Sequence, residues 1–276
     1  MDWIYWSPVL VAGTVAGAST GMLGVFIVGM RIPFLGVCVA HAALAGAVFG
    51  GLAGLEGQTL LAPALLAAAA TALALGLMDT ERLRTDSNAI LSLLFSLSMG
   101  LAFLGLGLFS VLGRSDNDVR SLLWGSLTFC RWRDVAVMLA GAAGLGAFVL
   151  AFGKEMRAIL FSREHASAAG IPVMGLWVAF LVLTSVVLTV NFQTVGGLMI
   201  YSLLANPAAA AFQVCRGYAR TLGVAAGLGA ASGLGGFLAA ALTDLPVGAM
   251  IVLVSAGLVA VAGLLGRRRR ARAVSS

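Results

Sequence analysis

Long apolar runs separated by short polar loops fill the chain from residue 8 to residue 265. About 20 apolar residues are needed to cross the hydrocarbon core of a bilayer, because a helix rises about 1.5 Å per residue. The weakest boundary is Asn191–Gln193, where the flanking runs would instead give one crossing plus a half-helix. The pattern therefore predicts an all-α polytopic membrane protein, a bundle of eight or nine transmembrane helices. The nine candidate runs are 8–30, 33–55, 59–78, 88–112, 134–153, 174–190, 194–212, 219–242 and 246–265.

The composition agrees with lipid as the solvent for most of the chain. Of the 276 residues, 61% are hydrophobic and 10% are charged, with a mean hydropathy of +1.03, which is far above a soluble domain. All 17 basic and 11 acidic residues fit outside the apolar runs or at their edges. Three distant cysteines suggest no disulfide framework. With no linker or soluble segment between the runs, we expect one transmembrane domain over residues 1–276.

Basic residues are divided unevenly between the two sides of the predicted bundle. If the N-terminus is outside, 13 of the 17 basic residues lie on the cytoplasmic side, and the other four share an outer loop with three aspartates. Nine crossings then satisfy the positive-inside rule at both termini. Much of the net charge of +6 comes from a basic tail at 266–276, which predicts a cytoplasmic C-terminus and anionic lipid, rather than nucleic acid, as its partner.

A polar, charged segment at 154–173, KEMRAILFSREHASAAGIPV, separates the fifth and sixth runs. Residues 164–170 are predicted to form one or two helical turns with small residues on one face. Ile171 and Pro172 should end that helix, because the residue before a proline is pushed out of the α region. In the cytoplasm this segment is either a solvated connector or a helix that docks into another protein.

Motifs for nucleotide hydrolysis are missing from the sequence. There is no phosphate loop of the form GxxxxGK[ST], since the pair Gly153–Lys154 is followed by Glu155. The HExxH and CxxC motifs are also missing. We therefore predict that the protein is not an enzyme and that energy for its work comes from a partner or a gradient.

Two residues with metal-binding side chains lie inside the second run. His41 is about 12 Å from the start of that run by helical rise, and Cys38, three residues earlier, shares its helix face. A histidine and a cysteine together can ligate a transition metal. The pair alone indicates either a metal contact or a packed histidine bonded to a neighbouring carbonyl.

A second polar group lies around the sixth and seventh runs. Its Asn-Pro step removes one backbone donor and frees carbonyls, as in helices broken at transport sites. The other interpretation is an ordinary proline kink satisfied by neighbouring side chains. The candidate pathway residues in this group are Asn191, Gln193, Tyr201, Ser202, Asn206 and Pro207.

Five fragments in order carry a resemblance to a known family. Residues 19–46 are similar to its first loop and second helix, and 89–102, AILSLLFSLSMGLA, to its IGIxFSxxLALG span. The LWGS at 123–126 is similar to its LFGS. Residues 152–173 are similar to its YKELxxxxFDxExARxLGxPV loop, and 193–211 to its QxVGxLLVxALLxxPAAxA signature. The chain thus resembles the membrane permease subunit of ABC importers for zinc and manganese.

The resemblance implies an assembly in the bacterial plasma membrane and a role for the segment 154–173. A second permease copy would form a homodimer, which works with ABC ATPase subunits and an extracytoplasmic metal-binding protein. ATP would be used by the partner subunit, no cofactor would be held permanently, and Zn²⁺ or Mn²⁺ would be the substrate. Segment 154–173 would carry the coupling helix that sits in a cleft of the ATPase, with Glu164, Ala168 and Gly170 at the matching positions.

The chain departs from the family pattern in the second helix. The family usually reads GDALSHAxLPG there, with an aspartate and a histidine four residues apart as metal contacts. Here the histidine is His41, but the aspartate position is Val37, and no carboxylate remains in any span to replace it. A histidine–cysteine contact is softer than a carboxylate site and favours zinc over manganese; the alternative is a pore without a tight site.

The alternative function is from another class, a gradient-driven transporter or channel for a small solute or ion. Such a protein usually needs protonatable or ion-coordinating carboxylates inside its spans, and the apolar runs contain none except Asp134 at the edge of one run.

Overall fold

The structure, a computed structural model, describes residues 3–78, 86–117, 119 and 130–274, and these ranges are built from α-helices, one short 3-10 turn and their connections. The 3-10 turn, Gly57–Leu60, leads directly into the third helix. The LWGS fragment and Arg82, Arg84 and Arg120 lie outside the described residues. The α-helices are α1 Trp3–Gly29, α2 Leu35–Leu52, α3 Leu61–Leu77, α4 Ser87–Val111, α5 Trp132–Phe161, α6 Arg163–Ala168, α7 Val173–Val195, α8 Gly197–Val214, α9 Tyr218–Thr243 and α10 Val247–Val274.

The helices confirm the predicted fold class. Every predicted run coincides with one of the long helices, and eight helices among the described residues are long and apolar enough to cross a membrane. The remaining run corresponds to α8, whose apolar part Met199–Val214 is shorter. The chain is therefore a multi-pass, all-α membrane protein with the eight or nine crossings that the hydropathy pattern predicts.

Two helix boundaries differ from the predicted ones. Helix α5 does not end near residue 153 but bends at Phe152, with φ −117° and ψ 15°, and continues to Phe161. The break between α7 and α8 is at Gly196, which has φ +97°, and not at Asn191–Gln193. Polar side chains are compatible with a helical backbone, whereas the positive φ at this break lies in the left-handed region that glycine adopts without steric cost.

The chain divides into two compact units. Unit 1 comprises residues 1–33, 127–138 and 199–276, and unit 2 comprises residues 34–126 and 139–198. A single transmembrane domain over the whole chain stays a prediction.

In unit 1, α1 and α9 pack against each other in opposite directions along glycine-lined faces. A β-carbon on Gly17 would overlap the carbonyl oxygen of Gly229, and one on Gly233 would overlap that of Gly13. Such close backbone approach is the packing that small residues permit in lipid. Helix α10 folds back on α9, where Gly236 lies against Ile251.

Helix α8 runs alongside α10 in the same direction for most of its length. Met199 packs on Gly248 at one end and Gln213 packs on Gly263 at the other. In the middle, Asn206 Nδ2 donates a hydrogen bond to Ser255 Oγ at 2.9 Å. The 15 residues from 199 to 213 rise roughly 21 Å. Because α8 packs alongside the spanning helix α10 over this length, the packing favours a ninth crossing over a half-helix.

In unit 2, α2 is the most buried helix and packs against α3, α4 and α7. Gly46 lies against Pro63 of α3, and Gly105 of α4 lies against Val48. The α2 backbone is thereby held close to both neighbours. These contacts place the middle of α2, which carries His41, inside the unit.

Candidate functional site

Of the two imidazole nitrogens of His41, Nδ1 makes a hydrogen bond within α2 and Nε2 does not share in it. Its Nδ1 lies 2.9 Å from the carbonyl oxygen of Val37, one turn earlier in α2. A carbonyl only accepts hydrogen bonds, so Nδ1 carries the proton. In the neutral ring Nε2 then has the free lone pair, which is the form of histidine that binds metals. The structure thus shows the carbonyl bond of the second interpretation, and that bond leaves Nε2 available as a donor, so the metal contact stays a prediction.

An aromatic ring that the sequence did not single out fixes the orientation of this imidazole. Phe95 of α4 meets His41 edge to face, with ring centroids 4.9 Å apart. The Phe95 ring also meets the Phe34 ring edge to face, with centroids 5.3 Å apart. His41 is 7% exposed. Phe95 lies within the AILSLLFSLSMGLA fragment, but a motif match does not show which side chains touch.

Cys38 is fully buried and reduced, three residues before His41 on α2. Within the ranges that the structure describes, no group of three or more His, Cys, Asp or Glu side chains is placed to hold a metal ion. His41 and Cys38 are therefore at most two candidate ligands from this set, fewer than the four protein ligands of a closed structural zinc site.

The two predicted pathway residues of α7 lie in unit 2. Asn191 is 1% exposed, so its amide is inside the protein although the surrounding run is apolar. Gln193 is helical and lies three residues before the break at Gly196. Both residues thus belong to the last turns of a spanning helix.

The other four predicted pathway residues lie on α8 in unit 1. Tyr201 is exposed, and Ser202 Oγ donates to the carbonyl of Met199 at 2.7 Å. Asn206 donates to Ser255 of α10, as described above, and Ser255 Oγ donates to Val252 at 2.8 Å. The Asn206 amide therefore contributes to helix packing in unit 1.

Pro207 lies within α8, and the helix continues through it to Val214. The structure therefore favours the proline-kink interpretation over a broken helix at this position. A proline in a helix leaves the carbonyl four residues earlier, that of Leu203, without its usual donor.

Two buried threonines of α7 were missed by the sequence analysis. Thr184 and Thr189 are fully buried, and neither hydroxyl oxygen has a hydrogen-bond partner among the described residues. Leaving such a group unsatisfied costs about 1–3 kcal/mol. A water or a hydrated solute inside the protein would satisfy it, so both are candidates for the pathway. The only signal in the sequence is a threonine in an apolar run, which is weak because threonine often bonds to its own helix.

The segment 154–173 contains two kinds of structure. Its first half continues α5, and its second half holds the short helix α6. The helix predicted over residues 164–170 is observed over Arg163–Ala168, so it begins one residue earlier and ends two residues earlier than predicted. Ser162 caps its start by accepting a hydrogen bond from the backbone N–H of His165 at 3.3 Å. At its end Gly170 has φ +82°, and its N–H donates to Ser167 at 3.0 Å, while that of Ile171 donates to Ala166 at 3.1 Å.

These two hydrogen bonds form a Schellman motif, so the left-handed Gly170 ends the helix. The prediction that Ile171 and Pro172 end it is wrong. Pro172 instead stands at the start of α7 as its N-cap residue. The helix ends earlier than predicted because the cap at Gly170 stops it two residues before Pro172.

Helix α6 is held at one side and open on the others. Ala166 is its buried residue, and the Arg163 guanidinium lies over the Trp177 ring of α7 at 4.1 Å from the centroid. The three predicted docking residues, Glu164, Ala168 and Gly170, are all exposed. The segment is thus a small, fixed projection that carries one acidic side chain and several methyl-sized ones.

A recess of about 530 Å³ opens at the far end of α2 in unit 2. Glu56 and Arg114 line it, and Arg114 Nη1 donates to the Leu52 carbonyl at 2.7 Å. The bond fixes the guanidinium at the C-terminal end of α2, where the helix dipole favours a cation. The recess is a candidate entry region on the side that the charge pattern predicts to be outside.

Comparisons with known proteins agree with this architecture. The model of the ABC 3 transport family matches residues 3–266. The manganese transport system membrane protein MntC of Halalkalibacterium halodurans is 28% identical over 266 residues, which cover 95% of this chain and 87% of that protein. The zinc transport system membrane protein TroC of Treponema pallidum is 29% identical over 274 residues, covering 94% of this chain and 89% of that protein.

A solved structure has the same fold. PsaBC from Streptococcus pneumoniae in complex with Fab superposes with a TM-score of 0.81 over 95% of this chain and 91% of that chain, at 20% sequence identity. The predicted all-α fold is therefore confirmed independently of the sequence motifs.

Proposed function

The chain belongs to the ABC 3 transport family, and we propose that its cargo is a divalent transition metal, with zinc preferred to manganese. It is the permease of a metal-ion ABC importer and not the ATPase of that importer. Relatives named for manganese and for zinc have similar identity to this chain. The choice between the two metals therefore depends on the side chains in the spans.

The observation that carries the zinc proposal is the hydrogen bond from His41 Nδ1 to the Val37 carbonyl. It leaves Nε2 as a neutral nitrogen donor inside a helix that contains no carboxylate. Nitrogen and sulfur donors suit zinc, whereas manganese prefers carboxylate, carbonyl and water oxygens. Because lipid depth makes an unligated cation costly, even one such donor favours its passage.

The proposed transit step uses few protein ligands. Zinc exchanges one of its waters for Nε2 of His41, and the buried Cys38 thiol gives up its proton if the metal reaches it. Water completes the coordination shell. A site with so few protein ligands releases its ion readily, as transport requires, and the buried hydroxyls of Thr184 and Thr189 offer hydrogen bonds to the hydrated ion.

We further propose the assembly and its orientation. Two copies of the chain pair with two ATPase subunits and receive metal from an extracytoplasmic binding protein, with the N-terminus outside. Helix α6 docks on the ATPase through Glu164, Ala168 and Gly170. Support comes from their joint exposure and from the fixed geometry of α6 between Ser162 and Gly170.

Reconstitution in proteoliposomes tests the proposal. The complete assembly should concentrate labelled zinc with ATP and transport manganese more slowly at equal concentrations. The purified permease alone should move neither metal against a gradient. Concentrative uptake by the permease alone would favour the gradient-driven alternative, and faster manganese transport would contradict the zinc preference.

A further inference from the structure

A cavity lined by arginine lies at one end of unit 1. Its volume is about 460 Å³, which is within the range of roughly 300–1,000 Å³ typical of small-ligand sites. It is formed where α8 ends, α9 begins and the last turns of α10 pass beside them. The lining residues that matter for its chemistry are Phe212, Gln213, Arg216, Arg220 and Gly266.

The turn between α8 and α9 brings both arginines to this cavity. Gly217 has φ +96° and reverses the chain, so that Arg216 precedes α9 and Arg220 is in its first turn. Both side chains are exposed. Gly266 fits directly on the Gln213 backbone, where an added β-carbon would lie 2.9 Å from the carbonyl oxygen. The end of α8, the start of α9 and the side of α10 at Gly266 thus form a rim around two cationic groups.

Acidic groups that could balance these arginines are missing from the surrounding sequence. Residues 199–276 contain seven arginines and one acidic residue, Asp244. Asp244 caps the opposite end of α9, a 26-residue helix that is roughly 39 Å long. The start of α9 also carries the positive end of its helix dipole and no acidic side chain in its first turn. The cavity is therefore strongly electropositive and complementary to an anion.

The cavity also has an apolar border. Phe212, which lines it, is 43% exposed, and Leu265 beside Gly266 is 49% exposed. Both belong to helices whose outer surfaces are apolar over the preceding turns. A ligand that fits this border has an anionic head and a hydrocarbon chain, which distinguishes it from a soluble phosphate.

We propose that this cavity binds the phosphate group of an anionic phospholipid between Arg216 and Arg220, with its acyl chains along Phe212 and Leu265. Arginine forms bidentate hydrogen bonds with phosphate. Basic pockets between membrane helices at the cytoplasmic side suit such head groups. The basic tail continues α10 directly beyond Gly266 and increases the local concentration of anionic lipid. In the proposed orientation this lipid comes from the cytoplasmic leaflet.

The test measures lipid binding to the purified full chain in detergent. Its thermal unfolding midpoint is followed during titration with dihexanoyl phosphatidylglycerol, dihexanoyl phosphatidylcholine or inorganic phosphate, since a ligand of the folded state raises that midpoint. We expect phosphatidylglycerol alone to raise it. Each basic group near an anionic lipid contributes about fivefold in affinity, so the double variant R216Q/R220Q should bind phosphatidylglycerol about 30-fold more weakly.

Three further variants keep the result specific. R216K/R220K retains both charges and should bind within about threefold of the parent. R131Q/R133Q loses two exposed arginines outside the cavity and should bind like the parent. Replacing Arg267–Arg270 by glutamine should weaken binding less than R216Q/R220Q does.

Four outcomes would overturn the proposal. Equal stabilisation by phosphatidylcholine would mean that the head-group charge is not recognised, and equal stabilisation by inorganic phosphate would mean a soluble ligand. Loss of binding only in the tail variant would place the site on the tail. Unchanged lipid binding in R216Q/R220Q with weaker binding of the ATPase would make the cavity part of a protein interface.

Discussion

Helix α6 exposes five of its six residues, whereas the α2 segment from Cys38 to Leu44 is completely buried. The exposed helix is held by two caps and one cation–π contact, so its position depends on backbone geometry. The buried segment is held by close packing against α3 and α4, and the group that it presents is a single imidazole, oriented by its hydrogen bond to the Val37 carbonyl. Both belong to unit 2, but they use opposite means to present a functional group.

This difference separates two kinds of function. The proposed docking surface of α6 needs a shape, which small residues and a glycine cap supply. The proposed metal contact of α2 needs a nitrogen lone pair, which the hydrogen bond at Nδ1 of His41 leaves free on Nε2. We therefore expect changes in the shape or charge of the α6 surface to impair the first function, and loss of the imidazole donor to impair the second.

The largest effect is expected from Gly170→Asp. The residue has φ +82°, which glycine adopts without steric cost, and the substitution also puts a negatively charged carboxylate at the exposed end of a helix of six residues, which has little stability of its own. The variant should insert normally but reduce ATP-driven metal uptake to background. Uptake by proteoliposomes and co-purification of the ATPase would measure the two consequences.

Two controls separate backbone shape from charge. Gly170→Asn should retain much of the activity, because asparagine tolerates the left-handed region. Gly175→Asp places the same carboxylate in α7, where the glycine has no close neighbours and ordinary φ, and should transport normally. Ala168→Trp keeps the backbone but covers the docking face, and should also abolish uptake. Normal transport by both Gly170→Asp and Ala168→Trp would contradict the docking role of α6.

The second largest effect is expected from His41→Ala. Removing the one nitrogen donor should lower zinc flux at least about tenfold, which corresponds to roughly 1.4 kcal/mol. Val37→Ala is the matched control, because it leaves the carbonyl that His41 bonds and should change the flux little. Labelled zinc uptake at equal permease density decides the result. Full activity of His41→Ala would mean that His41 only packs the core and that the pore selects by shape.

The spans could be predicted from the sequence because lipid imposes a simple rule on every crossing. Each predicted run is found as a helix, since a charge-free apolar stretch of this length has no other stable form in a bilayer. Helix ends were harder to predict. They depend on caps such as the one at Gly170, where two backbone hydrogen bonds form before the proline exerts its effect.

Of the candidate sites, only residues whose side chains are unusual in an apolar run could be predicted from the sequence, and not the neighbours that they contact. His41 stands out as a histidine in an apolar run, but its partner Phe95 does not, because a phenylalanine there is expected for lipid or core contact alike. The hydroxyl groups of Thr184 and Thr189 could not be identified either. Whether a helical threonine bonds its own backbone depends on a rotamer that the sequence does not specify.

A third, intermediate effect is expected from Val37→Asp. It places a carboxylate four residues before His41 on the same face of α2, so that hard oxygen and imidazole donors face the same ion. The ratio of manganese to zinc flux should rise about fivefold, which corresponds to roughly 1 kcal/mol. Cys38→Ser is the comparison variant and should lower zinc flux by less than His41→Ala does. An unchanged metal ratio in a well-inserted Val37→Asp protein would argue against any metal contact on this face.

The smallest effect is expected from Arg163→Ala. This variant tests how rigidly the exposed helix α6 must be held for transport. The guanidinium over Trp177 contributes about 0.5–1 kcal/mol at an exposed site, so its loss should loosen α6 without melting it. Metal uptake should fall only about two- to fivefold, while ATP hydrolysis by the assembly falls less, because a loosened helix still docks but transmits motion poorly. Arg157→Ala removes an equally exposed arginine from the α5 extension and should leave the ratio of metal moved to ATP hydrolysed unchanged. If both variants change that ratio equally, net charge at this surface matters and the Arg163–Trp177 contact does not. If Arg163→Ala alone changes it, α6 works as a part fixed to α7, and its rigidity is as necessary as its exposure.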